Sequence, residues 1–261
     1  MRQVYAVALN TFREAIRSRV LYSIILFVIG LMLLILAAGA ASLNQDVRLV
    51  KDVGMFLSST FAVVISIFIG GSLVYKEIER KTIFTIAPKP IWRWQFLVGK
   101  YCGVMATMAV QVIIMGAAFV GLLTLTEGVW GVEILQAFWL VYVEVAVITA
   151  VALLFSSFST PALSGVMTFG VFMAGRFADE LVRVQFDRRA GESLESTFTE
   201  QFLRGLGHVV PDLSLYNTTP YLVYDQALPQ GYTLQATIYG LTYALVALML
   251  AAALFSRRDF T

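Results

Sequence analysis

The sequence predicts an all-α membrane protein of six transmembrane helices, and three observations carry the prediction. Its apolar residues come in blocks of about 20, the length a helix needs to cross a hydrocarbon core of roughly 30 Å. Hydrophobic residues make up 59% of the chain and charged ones 14%, against about 25% charged in soluble domains. The basic residues also divide by side. Twelve of the nineteen fall in three segments that six spans gather in the cytoplasm, as short inner loops require. The 261 residues therefore read as a single domain, 1–261, with spans at about 20–41, 54–75, 97–125, 134–157, 161–178 and 232–255. Both termini lie inside, and an outer helical segment precedes the last span.

The chain opens with a basic amphipathic stretch. Val4, Val7, Ala8, Thr11, Phe12, Ala15 and Ile16 recur at helical spacing, while Arg2, Arg13, Arg17 and Arg19 outnumber Glu14. This pattern is that of a helix lying on the inner membrane surface. The first span follows. Ala38-Gly39-Ala40 resembles a signal-peptidase site, but an apolar run of about 22 residues exceeds the roughly 7–15 of a signal peptide, so 20–41 reads as an uncleaved span. Residues 43–52 read as a short outer loop in which Asp46, Arg48, Lys51 and Asp52 balance.

Between spans two and three lies the stretch that the rest of the chain is arranged to hold, YKEIERKTIFTIAPKPIWRWQFLVGK, from Tyr75 to Lys100. Lys76, Arg80, Lys81, Lys89, Arg93 and Lys100 place it in the cytoplasm. Its first half has helical composition: Glu77 and Lys81 are spaced as an i,i+4 ion pair, and Ile78, Ile83, Phe84 and Ile86 give it an apolar side. Pro88 and Pro90 stop that helix, and Trp92 and Trp94 suit the headgroup level where span three begins. A short helix carrying charges and an apolar side between two spans suits docking to a cytoplasmic protein. The plainer alternative is a solvated loop whose charges only set topology.

The remaining spans carry fewer signals. Gly99 and Gly103 are spaced for close helix packing, a pattern common in membrane helices. Span four holds Glu144 near its middle, where a charge is costly and is ordinarily partnered, so it is expected to face the bundle or a dimer interior. A purely structural hydrogen bond competes there with a transport role. Span five starts at Pro161 with Ser159 or Thr160 as N-cap, and reaches about 18 residues if Arg176 snorkels outward. In the outer segment 176–231, Leu194, Phe198, Phe202 and Leu206 form one apolar stripe, and Phe177, Leu181 and Val184 suggest an earlier helix. The segment reads equally as a packing cap and as a moving gate. Asn217-Thr218-Thr219 matches a glycosylation sequon.

Several functions are excluded by what the sequence lacks. A net charge of +2 gives no motive for binding nucleic acid. The single cysteine, Cys102, rules out an intramolecular disulfide and cysteine-based metal clusters; at the start of span three it reads as a small buried side chain. His208 is the only histidine, with no acids or thiols clustered near it, so no metal site is expected. No G-x-x-x-x-G-K-[ST] occurs, Gly99-Lys100 being followed by Tyr101, and the hydrolase motifs are missing too. Energy for any uphill transport must come from a partner or an ion gradient.

The Tyr75–Lys100 stretch resembles the coupling segment of ABC-2 type transporter permeases. The matching residues are Glu77 and Glu79, Thr82, Pro88 or Pro90, Arg93, and Gly99-Lys100. Residues 8–21 (ALNTFREAIRSRVL) resemble the family's N-terminal interfacial helix, and the FSRRDF end its basic tail. Lys81 departs from the family's usual glycine before Thr82. The branch most resembled includes the permease for nitrous oxide reductase copper maturation. The resemblance implies a non-catalytic permease subunit in a cell's inner membrane, paired with a second permease copy or paralogue and with a separate ABC ATPase that holds the ATP and Mg. Glu77, Glu79, Arg80, Lys81, Thr82, Ile83 and Phe84 would dock that ATPase. Pro88, Pro90, Arg93, Gly99 and Lys100 would form the segment's exit. A periplasmic protein would complete the set of partners, and this chain would bind no cofactor itself. Two other classes compete: an ion-driven secondary transporter, against which stand the lone membrane carboxylate and the lack of an inverted repeat, and a mechanical or scaffolding membrane subunit that passes no substrate.

Overall fold

The computed structural model describes residues 2–17, 22, 25–26, 28–30, 32–33, 46–79, 92–126, 131–177 and 210–257. Its elements are α1 (Arg2–Arg17), α2 (Asp46–Glu79), α3 (Arg93–Thr126), α4 (Val132–Ser156), α5 (Pro161–Arg176), a 3-10 turn (Ser214–Tyr216), α6 (Thr219–Val223) and α7 (Tyr232–Arg257). Among the described residues there is no strand. Among the described residues four stretches are long and apolar enough to cross a membrane: Val50–Gly71, Trp94–Thr124, Val132–Ser156 and Tyr232–Ser256. They correspond to spans two, three, four and six. The described part of 20–41 is helical, with Ile25, Val28 and Met32 buried and Tyr22, Leu26 and Leu33 exposed, a one-faced stripe at helical spacing; the rest of that span lies outside the described residues.

The bundle is built around α4. It packs against α2, α3, α5 and α7, and every residue from Val143 to Leu153 is buried. Helices can come this close because the contacts use small residues, as is usual where lipid supplies no hydrophobic drive between them. On α7, Ala236, Ala244, Ala247 and Ala251 are buried while Leu234, Ile238, Leu241 and Leu245 point outward. On α2, a Cβ at Gly70 would lie 2.8 Å from that of Ala152 on α4. Hydroxyls tie the helices together near the α4–α5 turn: Ser156 Oγ donates to the Gly71 carbonyl at 3.1 Å, and Ser164 Oγ to the Ala152 carbonyl at 3.1 Å.

Four expectations change. Residues 46–52, read as loop, are the first two turns of α2; the charges there do not break the helix, and the Lys51 ammonium reaches Asp225 Oδ1 at 2.8 Å. Cys102 is exposed rather than buried, because Tyr101 and Gly103 on either side take the packed faces of α3. Third, α5 covers only 16 residues, about 24 Å and short of the roughly 30 Å core. Thr160 is its N-cap, with extended backbone and no side-chain cap bond. Finally, Arg176 does not snorkel outward. It turns inward, because a carboxylate lies within its reach.

Candidate functional site

Glu144 stands at the midpoint of α4, twelve residues from either end, or about 18 Å of helix each way. The carboxylate is fully buried. Its Oε1 accepts from Arg176 Nη1 at 2.7 Å, and its Oε2 accepts from Ser59 Oγ at 2.8 Å. Arg176 Nη1 also donates to Ser59 Oγ at 2.9 Å. A closed ring of three hydrogen bonds thus joins α2, α4 and the end of α5, and the guanidinium carbon sits 6.0 Å from the Phe172 ring centroid. Pairing of this kind is what a charge in an apolar interior requires. Glu144 therefore faces the bundle and not lipid.

The partners are less visible in the sequence. Arg176 is the basic residue at the end of a helix that folds back on α4 through a four-residue turn, so the hairpin returns it to the level of Glu144. The acid midway along α4 and the one charged residue of α5, on the two arms of one hairpin, are the available signal. Ser59 offers none, being one of several small polar residues on α2.

On one side of this ring the segment that precedes α7, read from the sequence as outer, dips into the bundle. Leu213 N–H donates to the Gly175 carbonyl at 3.1 Å, and a Cβ at Gly175 would collide with the Pro211 carbonyl. Glycine is therefore required where the segment crosses α5. The Tyr216 hydroxyl donates to the Ala236 carbonyl at 3.2 Å and lies against Gly240. Gly240 is eight residues along α7 from its start at Tyr232, so the tyrosine tip lies about 12 Å below that end. Tyr232 Oη donates to the Leu215 carbonyl at 2.6 Å, and Asp212 N–H to Tyr239 Oη at 2.9 Å. Leu213, Tyr216 and Leu222 are buried. Residues 211–223 thus form a cap seated on α4, α5 and α7, with its helix α6 packed against α2. The apolar stripe Leu194, Phe198, Phe202 and Leu206, with Leu181, Val184 and His208, lies outside the described residues.

On the other side, α2 runs without a break to Glu79, so Glu77 and Glu79 belong to its last turn. Arg80, Lys81, Thr82, Ile83, Phe84, Pro88 and Pro90 lie outside the described residues. Arg93 opens α3. Trp92 caps it, receiving Gln95 and Phe96 N–H on its carbonyl, while its own N–H donates to Gln95 Oε1 at 3.4 Å, the reciprocal half of a capping box. Trp92 and Trp94 are exposed. Lys100 is buried with its ammonium 5.6 Å from the Phe96 ring centroid. Gly99 and Gly103 do mark a close approach, though to α1 rather than to another span: a Cβ at Gly99 would lie 2.8 Å from Val7 Cβ, and one at Gly103 2.6 Å from the Ala8 carbonyl. Among the described residues no group of three His, Cys, Asp or Glu could hold a metal ion.

A family model described as ABC-2 family transporter protein matches residues 5–260. Comparison with curated proteins finds none that matches.

Proposed function

Because this chain belongs to the ABC-2 transporter family, we propose that it is the permease subunit of an ABC transporter, driven by ATP hydrolysis in a separate ATPase chain. The match over 5–260 carries the reading, since it takes in the membrane helices and the segment between α2 and α3 together. In this reading the end of α2 and residues 80–84 dock the ATPase. Glu77, Glu79, Arg80 and Lys81 supply charge, and Ile83 and Phe84 supply the apolar contact. ATP and Mg stay in the partner, this chain catalyses nothing, and a second permease copy or paralogue completes the pathway in the inner membrane. Both termini are cytoplasmic. Support for ATP drive over an ion gradient comes from Glu144, whose two oxygens are already engaged by Arg176 and Ser59.

The test uses Glu79→Lys, and separately Ile83→Asp with Phe84→Asp. Each variant should insert normally yet fail to retain the ATPase in a pull-down, or let it hydrolyse ATP without driving transport. Isolated surface ion pairs contribute only about 0–1 kcal/mol, so the fold does not depend on these charges. Normal retention and normal coupling in both variants would move the docking site elsewhere.

A further inference from the structure

The geometry points to a latch: Ser59, Glu144 and Arg176 hold the outer cap on its seat, and α2 is the rod that releases it. Arg176 is the residue after Gly175, on which the cap rests through Leu213 and Pro211. Fixing Arg176 to α4 and α2 therefore fixes the seat. Beyond the cap, Asp225 pairs with Lys51 on α2, eight residues or about 12 Å from Ser59 along the same helix. α2 thus holds the cap from both sides.

The three bonds in the ring are not equal. Glu144 and Arg176 are opposite charges in an apolar interior, and parting them leaves each uncompensated. Ser59 is neutral and sits on a different helix from either. Its two hydrogen bonds are the ones that yield when α2 moves against α4. From Ser59 the helix continues unbroken for twenty residues to Glu79, about 30 Å, so a displacement at Glu79 reaches both Ser59 and Lys51. This transmission rests on the permease reading, in which the ATPase grips that end. The ring is a discrete contact between three helices, and in this proposal it has two states, closed as here and opened at Ser59, as coupling between distant sites needs.

The experiment measures access to the cap in the full chain. In a Cys102→Ser background, Leu213→Cys, at a buried position, is labelled from outside with a membrane-impermeant maleimide, alongside the exposed Tyr224→Cys. Adding Ser59→Ala should speed labelling at 213 about tenfold and leave 224 unchanged. If Leu213→Cys does not insert, Leu222→Cys, also buried, gives the same reading. Equal rates with and without Ser59→Ala overturn the latch, and so does acceleration at both 213 and 224, which would be general loosening. No ATPase is needed, so either result leaves the permease reading standing. The permease reading is tested separately by adding ATPase and ATP: no rise at 213, with the Ser59→Ala effect intact, would sever α2 from the ATPase and not from the cap.

Discussion

Arg176→Met measures what the buried ion pair contributes. Methionine keeps much of the arginine stem's volume and removes the charge, leaving the fully buried Glu144 with only the Ser59 hydroxyl. Charges 2.7 Å apart attract by about 6 kcal/mol at an effective dielectric near 20, much of it offset by the cost of desolvating them. Losing one partner of such a pair costs about 3–5 kcal/mol, because the other stays buried and uncompensated. For a chain of this size that is a fall in Tm of roughly 6–20 °C. Adding Glu144→Gln removes the stranded charge while the amide can still meet Ser59, so the double variant should recover to within about 1 kcal/mol of the parent. Thermal unfolding in detergent, followed by tryptophan fluorescence, reads all of these. If the double variant loses as much as Arg176→Met alone, the damage comes from lost packing of the arginine stem, and the electrostatic account is wrong.

Three further outcomes are expected. Gly103→Ala drives a Cβ into the Ala8 carbonyl and Thr11, and should cost about 1–3 kcal/mol and expose Thr11→Cys to thiol reagents; Gly121→Ala on the same helix, where nothing lies within 4 Å, should leave Tm unchanged or slightly raised. Asp225 adopts φ 53°, so Asp225→Gly, which relieves the backbone while withdrawing an exposed carboxylate from the buried Lys51 ammonium, should be about 1–2 kcal/mol more stable in thermal unfolding than Asp225→Val, which loses the same carboxylate and keeps the backbone strain. Cysteines at Ser196 and Thr82, in a Cys102-free chain, should label from opposite faces of the membrane; an impermeant reagent reaching both from one side would refute the six-span topology.

The parts of this fold that hydropathy encodes are legible in the amino-acid sequence alone. Long apolar runs mark α2, α3, α4 and α7 because a membrane span must be apolar all round, and α1 shows itself by one apolar stripe among arginines. Glu144 stands out for the same reason, as an acid where no acid is otherwise tolerated. What hydropathy does not encode is which side of a span faces protein, since lipid and protein interior are equally apolar. Cys102 therefore reads as inward from its apolar neighbours and lies outward, and Gly99 and Gly103 give their spacing without their partner. Arg176 escapes sequence reasoning because a terminal arginine can reach water or a buried carboxylate with equal ease; only the fold-back of α5 along α4 decides. The docking role proposed for residues 80–84 rests on composition and family resemblance, and those residues lie outside the described ones.

The shortness of α5 bears on how the chain enters the membrane. A helix of 16 residues ending in arginine is a poor substrate for insertion by itself, since it neither fills the core nor hides its charge. α4, whose one charge past its first turn is Glu144, carries the complementary charge and leaves the ribosome just ahead of it. The two therefore enter as a single hairpin, the pair neutralised before either side meets lipid, and α5 is a passenger of α4 during synthesis. An insertion assay on α5 alone should leave it outside the bilayer, and the α4–α5 hairpin should restore entry. With Glu144→Leu in that hairpin, α5 should again lag. Defects at Glu144 would then show first as misassembled protein cleared by quality control, before any fault in the finished molecule could be seen.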